Sequence, residues 1–321
     1  MALPVNATRK RLWTFLLVAT AIFLSGEITF SQTIVIVSTD SLKATRRTIS
    51  GAKSIVKAEY ADAKIVPILI RTDAEHFSAQ IDTIRSLDPD VLLTVSSAAT
   101  RLAAENLGDL PIVFSSVLYP AISGFVDRPN RPGKGITGAS LDIPVDIQFR
   151  YFRQIIPTMK RIGVLYTSNT ATLIPPSTVV AAEMGLELVA IEVASPKSLR
   201  VAIDSMAISV DGIWSVADPN LFDPQSTKYI LMQSMRRGVP FMGFSRHVVE
   251  SGALFALDFD YKAIGRQAGQ AVCEILTGRK PAEIPVTTPD IIWFHYNAKT
   301  AAHMKIEIPS QLVAIAREVY R

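Results

Sequence analysis

The chain has 321 residues and a formal net charge of +4, of which Arg9, Lys10 and Arg11, less Glu27, supply +2. The remainder is close to neutral and holds no run of five or more basic residues, so a nucleic-acid partner has little electrostatic support. Its one cysteine, Cys273, excludes an internal disulfide, and stability must come from packed cores.

The three basic residues precede an apolar run at 12–24, broken only by Thr14 and Thr20. That run is shorter than the roughly 20 residues a membrane-spanning helix needs, and it reads as a secretory signal at 1–31. Thr29 and Ser31 suit cleavage before Gln32; an uncleaved anchor is the alternative. No cysteine lies near the end of the run, so the expectation is a periplasmic protein that is not a lipoprotein.

Strands are expected at 33–37, 64–70, 90–95 and 111–114, because these runs are β-branched or aliphatic without polar alternation. Such runs fit strands covered on both faces. Helical patterns at 44–60, 76–87 and 98–106 separate them. Four prolines and four glycines mark 120–146 as a loop and a crossing. A helix at 146–156 then opens a second round: strands at 161–166, 186–193, 212–216 and 240–244, with helices near 176–184, 197–207 and 224–237. A strand at 252–259, a helix to 277, a strand at 290–295 and a terminal helix at 311–319 complete the pattern. Alternation of this kind implies βαβ units and parallel sheets. The fold class expected is α/β, two doubly wound parallel-sheet lobes joined by a multi-crossing hinge. One lobe takes 32–142 with 255–288, the other 143–254 with 289–321.

Gly133 to Gly138 spell G-x-G-x-x-G, but prolines flank the segment and no strand-to-helix turn accommodates it, so no dinucleotide site is expected. His76, His247, His295 and His303 show no metal-ligand spacing, and no metal or cofactor is expected. Cys273 lies in a helical pattern and reads as a buried helix residue. Ligands of open α/β sheets sit beyond the carboxyl ends of the strands, where helix N-termini offer N–H groups. Thr39, Ser96, Ser97, Ser116, Thr167, Ser168 and Ser245 occupy such positions, although N-capping accounts for many serines and threonines there. Asp40 and Asp218 each end an apolar strand, Asp258 and Asp260 lie two apart on one face, and Asp40, Asp218 and Asp258 suit a ligand ammonium. Asp260 reads as an N-cap. Tyr119, Trp214, Phe222 and Phe244 can supply an apolar wall.

Six segments, 110–115 (LPIVFS), 131–138 (RPGKGITG), 160–167 (KRIGVLYT), 217–222 (ADPNLF), 258–269 (DFDYKAIGRQAG) and 297–309 (NAKTAAHMKIEIP), resemble the substrate-binding proteins of ABC importers in the tryptophan/tyrosine-binding-type group. The resemblance spans nearly all of residues 32–321. It implies a type I periplasmic binding protein fold, three crossings, and a small ligand held between the lobes for delivery to an inner-membrane permease, with no catalysis. By family position it places Ser96, Ser97 and Ala98, Ser116 to Tyr119, Thr167, Ser168 and Asn169, Ala217 with Asp218, and Phe244 with Ser245 along the cleft. The chain departs from the family in lacking a lipobox cysteine and in carrying Ser116-Val117-Leu118-Tyr119-Pro120 where Asp-Pro is common. The expected ligand is an amino acid or related small amphiphile, bound by a monomer. A sensor presenting its closed form to a membrane receptor is the alternative. An exported hydrolase is less well supported, since no nucleophile–base motif occurs.

Overall fold

The computed structural model describes residues 31–71 and 74–321, so the signal read over 1–31 lies outside the described residues except for Ser31. In chain order the first elements are β1 (Thr33–Ser38), α1 (Lys43–Glu59), β2 (Lys64–Leu69), α2 (Ala74–Ser86), β3 (Val91–Val95), α3 (Ser97–Asn106), β4 (Ile112–Val117) and β5 (Ile136–Ser140). Then come α4 (Val145–Ile155), β6 (Arg161–Tyr166), α5 (Ile174–Glu183), β7 (Glu187–Glu192), α6 (Pro196–Met206), β8 (Gly212–Trp214), α7 (Pro224–Arg237), β9 (Phe241–Gly243), α8 (Arg246–Glu250) and β10 (Phe255–Phe259). The chain ends with α9 (Tyr261–Leu276), β11 (Ile292–Asn297), α10 (Ala298–Met304), α11 (Ser310–Ile315) and β12 (Ala316–Tyr320).

The first sheet is all parallel, in the order β2-β1-β3-β4-β5. Its inner strands β1 and β3 are almost wholly apolar because both faces are covered, whereas the edge strand β2 is partly exposed. Ile34, Ile36 and Leu93 pack toward α1 and α9, while Val35, Val37 and Leu92 enter the opposite core with Ala99 and Ala103 of α3. The second sheet has seven strands, β12-β11-β10-β9-β8-β6-β7. Strands β6 to β10 are parallel, β11 runs antiparallel to β10, and β12 pairs parallel to β11. Phe149 and Phe152 of α4 pack into this lobe against Trp214 and Phe255, edge to face.

Three differences from the sequence reading have physical causes. Residues 120–146 contain β5 as well as the expected loop. Its Gly138 sits at φ +156, where an added Cβ would lie 2.1 Å from the Phe114 carbonyl oxygen, so glycine is what lets β5 lie against β4. That glycine also hides the strand from a pattern search. The terminal segment expected as a helix over 311–319 stops at Ile315, and Ala316–Tyr320 is the edge strand β12. Ladder bonds to β11 outweigh a helical pattern too short to be stable alone. Finally, Phe255–Phe259 pairs with β9 and β11, so this strand belongs to the second lobe, not to the first.

The chain therefore leaves the first lobe between β5 and α4, returns between β10 and α9, and leaves again before β11. On its return, α9 packs along α1 and buries Cys273 at 3 % exposure. Burial pushes that thiol's pKa up to about 12, as befits an inert packing residue.

Candidate functional site

A cleft of about 900 Å³ lies between the lobes, within the usual size range of small-molecule sites. The first lobe contributes the start of α1 and the loop after β4; the second contributes the carboxyl ends of β8, β9 and β10 with parts of β11 and β12. All three crossings border it, through Asp142, Phe259 and Thr288 among others. Closure about these crossings would change the shape of the cleft without disturbing either core.

Its apolar wall is aromatic: Tyr119, Trp214, Phe244, Phe259, Tyr261 and Trp293 all line it. Trp214 is fixed by an Nε1–H bond to Gln148 Oε1 at 2.7 Å. Phe244 leans on Phe222 with ring centroids 5.0 Å apart, so Phe222 backs the wall without lining it. Tyr119 sits at φ +49, two residues beyond the end of β4, and Ser116 near the end of that strand is at φ +58. Positive φ at a non-glycine residue is strain that the surrounding structure must hold, and at Tyr119 it falls on a cleft-lining residue. Burial, followed by the nearby Asp142 charge, raises the Tyr119 phenol pKa, while the Ala217 N–H of the other lobe favours its ionised form.

Charges of both signs are present. Lys43 and Arg47 come from α1, and Arg47 pairs with Asp260 at 2.6 Å. Arg246 pairs with Glu318 at 3.0 Å, and Arg317 lies 4.9 Å over the Trp293 ring. Among the described residues, neither Lys43 nor Arg317 has a carboxylate partner. Asp142, at the first crossing, accepts the Tyr119 N–H at 2.9 Å; burial nevertheless pushes its carboxyl up to about 6. Burial also raises Asp258, against the pull of the Phe259 N–H and of His295, Arg246 and His247.

Of the residues expected along the cleft, Leu118, Tyr119, Ala217, Phe244, Ser245 and Asp258 line it, as does Trp214. Most of the others have local partners. Thr39 and Ser96 hydroxyls lie 3.3 Å apart, and Ser96 caps α3 by accepting the Ala99 N–H. Ser97 and Ala98 are the first residues of that helix. Asp40 accepts from the Leu42 N–H and the Thr45 hydroxyl, which organises the entry to α1. Ser116 shares a hydrogen bond with Thr48 at 3.0 Å. Asp218 is 1 % exposed and accepts four hydrogen bonds, from the Thr167 N–H and hydroxyl, the Thr170 hydroxyl and the Asn220 N–H. Burial alone would raise its pKa, but these bonds together hold it below the usual carboxylate range. Thr167 is therefore buried beneath Asp218, and Ser168 and Asn169 are exposed on the same turn.

The sequence reading did not find Asp142, Gln148, His295, Arg317 or Glu318 as cleft residues. Asp142 follows a strand that was not recognised. His295, Arg317 and Glu318 reach the cleft only because β11 and β12 join the second sheet beside β10. The one local signal was alternation of Trp293, His295 and Asn297 along β11, which puts them on one face.

The sequence profile of the family described as ABC transporter substrate binding protein matches residues 32–320. The chain belongs to that family. It is 27% identical over 204 residues to a tyrosine-binding protein of Clostridioides difficile strain R20291, a match that takes in 63% of this chain and 59% of that relative's length. Among solved structures, it resembles the ABC domain of Streptococcus pneumonia in complex with L-Trp, at a TM-score of 0.62 and 22% identity, with 90% of this chain and 99% of that one covered. The ligand-free, open structure of a substrate binding protein with adhesive properties from Clostridium difficile gives a TM-score of 0.73 at 20% identity and the same coverage. The fold is thus that of the two-lobed binding proteins, and the family is one of binding proteins, not enzymes.

Proposed function

We propose that this protein is the exported solute-binding component of an ABC importer, which encloses an aromatic amino acid or a closely related small amphiphile and presents it to an inner-membrane permease. The observation that carries this reading is a single cleft, lined by both lobes, whose aromatic wall adjoins charges of both signs. An amphiphile with a ring and a zwitterionic end matches that division. The names of the clostridial relative and of the pneumococcal complex support the same ligand class.

A thermal-shift screen of the twenty amino acids, dipeptides, nucleosides and aromatic acids tests it. L-tyrosine or L-tryptophan should raise the melting temperature, since a ligand at a hundred times its Kd stabilises the native state by about 2.7 kcal/mol. A shift with nucleosides alone would replace the ligand class, and no shift with any amino acid would overturn it. Export places the protein in the periplasm. Mass spectrometry of the protein from its host should find an N-terminus near Gln32, and an intact Met1 in the membrane fraction would make it an anchored protein instead.

A further inference from the structure

Asp258 and His295 lie on one face of the β10–β11 ladder. Ala256 stands opposite His295 and Asp258 opposite Trp293 in an antiparallel register, so Asp258 and His295 are diagonal neighbours. The backbones of such neighbours are roughly 7–8 Å apart and their side chains leave the same face, so the polar ends of both come within reach of one small donor group. Both residues line the cleft.

Each is incompletely satisfied by the protein. Asp258 accepts one hydrogen bond, from the Phe259 N–H at 2.8 Å, and has no cation at ion-pair distance among the described residues. His295 is 1 % exposed, yet neither ring nitrogen has a hydrogen-bond partner. Its nearest carboxylate is Glu318, 3.7 Å from Nδ1, and Glu318 is already engaged by Arg246 and by the Tyr320 hydroxyl at 2.7 Å. Leaving a buried polar group unpaired is costly, and native proteins do it chiefly where the group serves a purpose. Burial lowers the imidazole's pKa, against the Asp258 and Glu318 charges, and a neutral imidazole carries one N–H and one lone pair. The Glu318 carboxylate favours the proton on Nδ1, which leaves Nε2 as an acceptor.

We propose that Asp258 and His295 form the ammonium subsite of the cleft, with Asp258 supplying the counter-charge and His295 Nε2 a second acceptor for a primary ammonium. This rests on the reading of the cleft as an amphiphile site and narrows it to ligands that carry an N–H₃⁺ group. Trp293 and Arg317 stand beside the subsite, and the Arg317 guanidinium, stacked over Trp293 and without a carboxylate partner among the described residues, offers a partner to a carboxylate on the same ligand. Asp218, whose oxygens are occupied by Thr167, Thr170 and Asn220, is left without this role.

Isothermal titration of the full mature chain with six probes tests the assignment: L-tyrosine, L-tryptophan, tyramine, tryptamine and the two des-amino acids, 3-(4-hydroxyphenyl)propionate and indole-3-propionate. At least one amino acid and its amine should bind. Asp258→Asn should weaken both by roughly tenfold to a hundredfold, the loss of a charge-assisted bond. His295→Phe should weaken them severalfold while leaving the ligand-free melting temperature equal or higher, because it removes two unpaired buried nitrogens. The des-amino acids should bind the wild type at least tenfold more weakly than the amino acids and be indifferent to Asp258→Asn. Des-amino acids that bind as tightly as the amino acids would overturn the subsite and leave the amphiphile reading standing. So would an unchanged affinity in Asp258→Asn. A lowered ligand-free melting temperature in His295→Phe would assign the imidazole to the fold and overturn its part. Failure of all six probes to bind the wild type would overturn both the subsite and the aromatic ligand class.

Discussion

Two aspartates near the cleft act in opposite directions on stability, and their surroundings say why. Asp218 is buried but accepts four hydrogen bonds that join the turn after β6 to the loop after β8. Replacing it with alanine leaves the Thr167 hydroxyl and the Asn220 N–H without their acceptor, and the Thr167 N–H and Thr170 hydroxyl with only longer contacts of 3.4 Å to one another's residue. Asp218→Ala should therefore lower stability by about 2–3 kcal/mol, seen in urea denaturation, with ligand affinity little changed in the fraction that folds. A tenfold loss of affinity with unaltered stability would return Asp218 to the ligand, as its strand-end position suggests from sequence alone. Asp142 is the reverse case. Its carboxyl is pushed up to about 6 by burial, above its unfolded value of 3.8. A raised folded pKa means that the native state prefers the protonated acid. The contribution of Asp142 is thus favourable below about pH 4 and is lost as pH rises through 6. Asp142→Asn should match the wild type in melting temperature near pH 4 and exceed it at pH 7–8. A mutant that melts lower at both pH values would show that the Tyr119 N–H bond matters more than the burial of charge.

At the scale of elements, the return of α9 onto α1 holds the first lobe together and anchors one end of the hinge. The two helices approach so closely that an added Cβ on Gly265 would lie 2.0 Å from the Thr48 carbonyl oxygen. Alanine would gain about 1 kcal/mol of helix propensity over glycine. It would also force two backbones apart, and overpacking of this kind costs about 1–3 kcal/mol or more. The steric effect should win, because the obstructing atom is backbone and cannot rotate away. Gly265→Ala should lower the melting temperature, and a rise would show that the helices can separate without loss. The same crossing carries the Arg47–Asp260 pair at the edge of the cleft, so loosening α9 should also disturb the ligand site.

Across the whole molecule, three crossings join two lobes with separate cores, and the cleft lies between them. Such an arrangement permits a bending motion and resists twisting, because three strands of chain must move together. Small-angle scattering with saturating ligand should give a smaller radius of gyration than without it. An unchanged radius, with binding confirmed by titration, would argue for a rigid site that admits its ligand without closure. The order of elements in each lobe was legible from the apolar runs, since strands such as Ile34–Val37 reach two cores and need no polar alternation. The segments that escaped were those whose strand character depends on a neighbour: β5, admitted by Gly138 against Phe114, and β12, a five-residue edge held by β11.

By itself, the sequence determined the α/β class, the two-lobed repeat, the family and the lack of an internal disulfide, because each is written in local periodicity, segment order or composition. Only the tertiary structure decided which polar residues face the cleft. Ser96, Asp40 and Asp218 read as ligand groups in sequence but spend their hydrogen bonds on neighbouring turns and helix starts. Asp142, Asp258 and His295 come together at the cleft only through chain crossings and an antiparallel pairing of β10 with β11. A side chain's role depends on which hydrogen bonds remain unmade after folding, and that balance is set by contacts between residues far apart in the chain.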